Sequence, residues 1–130
     1  MKGYYIRPTK ISPSIYFNPK NQLMDIRGKS CLENPLNFYN YIYGSIEKYT
    51  EGNMHQLTTN IAFEYFNTSS SKCIYVLLKK LACMHEEGYQ VKINWYFEDG
   101  DMDMKEAGED LNSFFNLEFN FITVPEIKVA

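Results

Sequence analysis

Four consecutive hydroxyls, Thr68-Ser69-Ser70-Ser71, followed by Lys72, are the residues of this chain whose type and spacing best suit chemistry. They come after an alternating run, Leu57, Thr59, Ile61, Phe63 and Tyr65, which has the period of a strand. After them Ile74, Leu77, Leu78, Leu81 and His85 recur at helical spacing and predict one buried helix face, to about Glu87 with Gly88 as the stop. The loop Phe66–Ser71 therefore belongs at the C-terminal end of a strand and the mouth of a helix. Open α/β sheets expose their functional groups there, beside unpaired backbone N–H groups and the positive end of the helix dipole. A phosphate on one of these hydroxyls would be received by those N–H groups and by Lys72. It would add roughly −1.5 to −2 charges at neutral pH, enough to create or abolish a protein contact without refolding. Ordinary helix capping uses the same residue types, and the residues alone favour that simpler account.

The acidic run Glu98-Asp99-Gly100-Asp101-Met102-Asp103 raises a calcium reading. An EF-hand loop needs Gly at its sixth position and Glu at its twelfth; counted from Asp99, those positions hold Met104 and Asp110. A solvated helix start, with acids near the positive dipole end, explains the run better; a docking surface for a basic partner is the functional alternative. Thr68–Lys72 lacks the glycines of a Walker loop, and Gly28-Lys29-Ser30 is no nucleophile elbow. His55 and His85 have no Cys or carboxylate at ligand spacing, so neither a metal site nor a cofactor is expected. No base, nucleophile and orienting group can be assembled by spacing. The expectation is a binding protein, not an enzyme.

At 130 residues, 45% of them apolar and 16% aromatic, the chain has material for one core, and one domain over 1–130 is expected. The net charge is −3, unevenly spread. Residues 1–50 carry seven Lys or Arg against three acids, whereas Glu98–Asp110 carries seven acids against Lys105 alone. An acidic pole without a basic stripe argues against nucleic acid as a partner. Three Cys (Cys31, Cys73, Cys83) without a CxxC fit a reducing cytoplasm, with Cys73 and Cys83 read as buried thiols in a helix. MKGYYIRPTK lacks the apolar core of a signal peptide, and no stretch is long enough to span a bilayer, so a cytoplasmic chain without membrane insertion is expected.

Several elements must position these residues. Ser14–Phe17 and Leu23–Arg27 form a hairpin around Asn18-Pro19-Lys20-Asn21. Asn34-Pro35 starts a helix, with Asn34 as N-cap and Pro35 at the first helical position; Leu36, Tyr39, Tyr43, Ile46 and Tyr49 give its apolar face. Val91, Ile93, Trp95 and Phe97 mark a strand, with Trp95 in the core. A helix over about Met102–Phe115 and a strand over about Phe119–Val124 complete the order. Strands alternating with helices predict an α/β fold: a mixed, mostly parallel sheet with an N-terminal hairpin and about three helices packed on it.

Motifs along nearly the whole chain resemble one family. They are Thr9, Ser12-Pro13, Ile15/Phe17, Leu23–Ser30, Glu33-Asn34, Phe38-Tyr39, Glu64-Tyr-Phe-Asn-Thr-Ser-Ser-Ser-Lys72, Trp95-Tyr96, Glu98-Asp99 to Asp101-Met102, and Gly108-Glu-Asp110. The sequence is similar to the SiaC family of bacterial regulatory phosphoproteins, small relatives of STAS-type anti-sigma-factor antagonists. Departures lie near the first helix, with Leu32 in place of a Pro and a divergent Tyr41–Ser45 stretch. The resemblance implies a STAS-like fold and no catalysis. It implies a Ser/Thr kinase that phosphorylates Thr68, a PP2C-type phosphatase that removes the phosphate, and a diguanylate cyclase activated by the unphosphorylated form in cyclic-di-GMP and biofilm signalling. Partner contacts are expected at Asn67, Ser69, Ser70, Ser71 and Lys72, at Glu33 and Asn34, and at Asp99 and Asp101. The alternative is a constitutive interaction module without phosphorylation control.

Overall fold

The computed structural model describes residues 1–129. Its order is β1 (Tyr4–Ile6), β2 (Ser14–Asn18), β3 (Leu23–Ser30), α1 (Leu36–Tyr49), β4 (Gln56–Phe66), α2 (Thr68–Glu86), β5 (Gln90–Glu98), α3 (Met102–Asn112) and β6 (Glu118–Val124). All six strands join one sheet in sequential order. The β1–β2 and β2–β3 pairs are antiparallel, and β3 through β6 are parallel. Three successive right-handed crossovers in sequential order place all three helices on one face. The expected mixed α/β architecture is borne out. Strand β1 has no counterpart in the sequence-based expectation, because three residues are too few to show a period.

Period-two alternation gives the sheet two unlike faces. Ile6, Ile15, Ile26, Ile61, Trp95 and Phe121 stand side by side at one level across all six strands. The four central members are fully buried under the helices, each removal from water being worth about 1.5–3 kcal/mol. At the adjacent register level, Tyr5, Tyr16, Asp25, Asn60, Asn94 and Asn120 form a polar row on the open face. There Asn94 Nδ2 donates to Asn60 Oδ1 (2.9 Å) and Asn120 Nδ2 to Asn94 Oδ1 (3.2 Å). Beyond β6 the chain turns back over this face. The Ile127 N–H donates to Glu98 Oε2 (2.9 Å), Ile127 is buried, and Val129 packs over Gly28 of β3.

The helices differ in detail from the sequence-based expectation. Asn34 does not cap α1: Pro35 takes the cap position with helical dihedrals and no side-chain cap, its carbonyl accepting from Tyr39 N (3.0 Å). Leu36 is exposed, and Ile42 joins Tyr39, Tyr43, Ile46 and Tyr49 on the buried stripe, since Leu36 falls at that stripe's margin at about 100° per residue. On α2, Met84 is buried in place of His85, whose polar ring stays in water at the helix C-terminus. Cys73 is buried but Cys83 is exposed, about 200° round the helix from Leu81. The last helix ends at Asn112; the turn after it lays Phe114 and Phe115 against Tyr75 of α2, with ring centroids 5.6 and 5.2 Å away. Among the described residues, no helix is long and apolar enough to cross a membrane.

Candidate functional site

Strand β4 does not keep its alternation to the end. Gly28 of β3 pairs with Phe63, but Lys29 pairs with Tyr65, so Glu64 is left without a counterpart. This one-residue bulge exchanges the faces of the strand's last two residues. Phe66 turns inward and packs on Phe63 (5.6 Å), while Tyr65 points out with 56% of its surface exposed. Strict alternation, which puts Tyr65 on the buried face, is therefore overturned here. Glycine at 28 suits the irregularity, because its φ of +117° is strained for any side chain.

The expected loop shrinks to one residue, Asn67. Its backbone is extended, and its Oδ1 accepts from Ser70 N (2.9 Å), so Asn67 is the N-cap of α2. Its own N–H donates to Ser30 O (2.9 Å) and its Nδ2 to Leu32 O (3.0 Å). One bond thus ties the mouth of the helix to the last residue of β3, a second holds the Leu32 connection beside it, and the third caps the helix itself.

The hydroxyls then take separate roles as the first helical turn. Thr68 is exposed, and among the described residues no hydrogen bond involves its hydroxyl. Ser69 is exposed too. Ser70 is not a surface residue: it is fully buried, and its Oγ accepts from Ser30 Oγ (2.8 Å). The Ser30 hydroxyl meets that of Tyr39 at 2.8 Å, which leaves Tyr39 as donor. Ser71 is half-buried and turns its hydroxyl back onto Thr68 O (2.6 Å). Lys72 is exposed one turn beyond Thr68. The N–H of Ser70 is used by Asn67 Oδ1 and that of Ser71 by Asn67 O. The N–H groups of Thr68 and Ser69 are the ones left pointing out of the helix start.

The connections after β3, β4 and β5 lie at one end of three adjacent strands, which places Glu33 and Asn34, the Thr68 turn, and Asp99 and Asp101 along a single rim. Glu33, Asn34 and Asp99 are exposed. Asp101 is partly committed, since its Oδ1 caps α3 by accepting from Met104 N (3.1 Å). Beneath the rim, burial pushes the Tyr39 hydroxyl well above the ordinary tyrosine range despite the opposing bond to Ser30. Burial, with Cys73 close by, does the same to Tyr43. Both stay protonated near neutral pH and act as fixed hydrogen-bonding groups. The Ser30–Tyr39–Ser70 cluster is invisible in the sequence, where Ser30 stands out only as a rejected nucleophile and Tyr39 only as an apolar residue.

Comparisons with known proteins agree with this fold. A curated relative, an uncharacterized protein of Pseudomonas aeruginosa (strain UCBPP-PA14), is 23% identical over 110 residues, covering 85% of this chain and 87% of its own. The crystal structure of apo-SiaC from Pseudomonas aeruginosa superposes with a TM-score of 0.87 at 21% identity, over 94% of this chain and 99% of that one. A chain in the crystal structure of the diguanylate cyclase SiaD in complex with its activator SiaC, from the same organism, gives 0.88 at 21% identity, over 93% and 99%. At such identities these structures establish the fold. The family model described as SiaC family regulatory phosphoprotein matches residues 6–124, nearly the whole chain. The chain belongs to the SiaC family of regulatory phosphoproteins.

Proposed function

We propose that this chain is a partner switch: with Thr68 unmodified it binds and activates a diguanylate cyclase, and with Thr68 phosphorylated it does not. A Ser/Thr kinase writes the mark and a PP2C-type phosphatase erases it, in the cytoplasm and without catalysis by the chain itself. The observation that carries this reading is the division of labour in the first turn of α2. Asn67 does the capping, so the exposed Thr68 hydroxyl is left unused at a helix start with two free N–H groups. That supports the switch over a constitutive module, in which Thr68 and its neighbours would serve only as caps. A phosphate there gains the helix N-terminus and Lys72 as partners, and lays roughly −1.5 to −2 charges across the rim.

Incubation with the kinase and ATP, with the phosphate then located by mass spectrometry, tests the assignment. Phosphate should sit on Thr68 and be absent from a Thr68→Ala variant. Cyclase activity should rise with the wild-type chain and Thr68→Ala and stay basal with Thr68→Asp. Equal activation by Thr68→Asp and Thr68→Ala would refute the switch.

A further inference from the structure

We propose, resting on the reading of Thr68 as a switch, that the surface it controls is the outer stripe of α2, and that this stripe receives an acidic amphipathic helix of the partner. Thr68, Lys72, Tyr75 and Lys79 succeed one another at spacings of four, three and four residues. At about 100° per residue they fall within roughly 40° of one line, some 16 Å long at about 1.5 Å per residue. All four are exposed, Tyr75 at 37%. The aromatic centre of the stripe is widened by Phe114, 67% exposed, whose ring meets Tyr75 edge-on at 5.6 Å. Among the described residues the two ion pairs are Arg27–Asp25 and Lys80–Glu47, so Lys72 and Lys79 flank this aromatic pair without a carboxylate partner.

This pattern selects the partner's chemistry. An aromatic anchor between two unpaired cations fits a helix of about three turns that carries apolar residues at its centre and carboxylates at both ends of one face. The neighbouring α3 exposes Glu106, Glu109 and Asp110, so a partner acidic along one line must lie along α2 and not across α3. The same arithmetic accounts for the switch. A phosphate on Thr68 brings roughly −1.5 to −2 charges to a line whose lysines supply two positive ones. It also stands one turn from Lys72 and draws that ammonium onto itself. The stripe then no longer attracts carboxylates.

The test is calorimetric titration of the full chain with the diguanylate cyclase. Lys72→Glu combined with Lys79→Glu should weaken binding by about tenfold or more, and wild-type binding should weaken as salt rises from about 0.05 to about 0.3 M. Phe114→Ala should weaken it several-fold. Both lysines and Phe114 are surface residues, so the variants should keep the urea midpoint of wild type. Hydrogen exchange on the cyclase should slow in a helix with acids along one face. Unchanged affinity in the lysine variant, with Thr68→Asp still abolishing binding, would overturn this inference alone. A wild-type chain that binds no diguanylate cyclase would overturn the proposed function and this inference together.

Discussion

Ser30 donates a 2.8 Å hydrogen bond to Ser70, joining the last residue of β3 to the first turn of α2 directly beneath the exposed Thr68. Both side chains are fully buried, and a hydroxyl left unpaired in such a place costs about 1–3 kcal/mol. Ser70→Ala should therefore lower unfolding stability in urea by that amount. Ser69→Ala, next door but exposed, should change it by less than about 0.5 kcal/mol.

Asn67 is expected to matter about as much as the buried Ser70, and more than the exposed hydroxyls of Thr68 and Ser69. Asn67→Ala removes the cap of a 19-residue helix and the bond to Leu32 O. A lost cap costs about 0.5–2 kcal/mol, and the second bond adds about 1 kcal/mol. Asn67→Asp keeps the capping oxygen and should recover most of the cap's share. Chemical denaturation of the three proteins gives the comparison.

Gly108 tests two principles against each other. Glycine inside a helix costs about 1 kcal/mol relative to alanine, so propensity alone says that Gly108→Ala stabilises α3. An added Cβ would, however, stand 2.6 Å from Trp95 Nε1, and that indole is fully buried and donates to Met104 O (3.0 Å). Overpacking of this kind costs about 1–3 kcal/mol and should win. The urea midpoint should fall, and the fluorescence of Trp95, the chain's one tryptophan, should shift.

Alkaline pH should unfold the protein through its buried tyrosines. Tyr4, Tyr39, Tyr43 and Tyr49 all have hydroxyls raised above the ordinary value of 10.0, in each case chiefly by burial. The folded state thus holds protons that the unfolded chain releases, and stability falls as pH climbs past about 10. The stabilisation is fully present below that value. Titration monitored by circular dichroism and phenolate absorbance should show late-ionising tyrosines whose absorbance rises together with unfolding.

Much of this is legible in residue order. The alternation through Leu57–Phe63 and Val91–Phe97 gives the faces of β4 and β5, because period two is a property of each strand alone. Thr68 can likewise be placed at a helix start from the strand before it and the apolar stripe after it. The rest depends on neighbours distant in sequence. The bulge that turns Tyr65 outward is defined against Gly28 and Lys29 of β3. The burial of Ser70 is defined by Ser30, 40 residues away. Neither leaves a local trace. Asn67 is visible as a capping residue type, but four adjacent hydroxyls compete for the same role, and only the bond to Ser70 N distinguishes them.

The returning C-terminal segment changes what kind of edge β6 is. A terminal strand paired on one side normally frays ahead of the rest, and its amides exchange with solvent through small local openings. Here Ile127 is seated in the fold and anchored to Glu98, and Val129 reaches Gly28 three strands inward. Peeling β6 away must also lift this segment off β3. The outermost strand is thereby made to open cooperatively with the sheet's interior, and its slowest amides should exchange at rates belonging to the core.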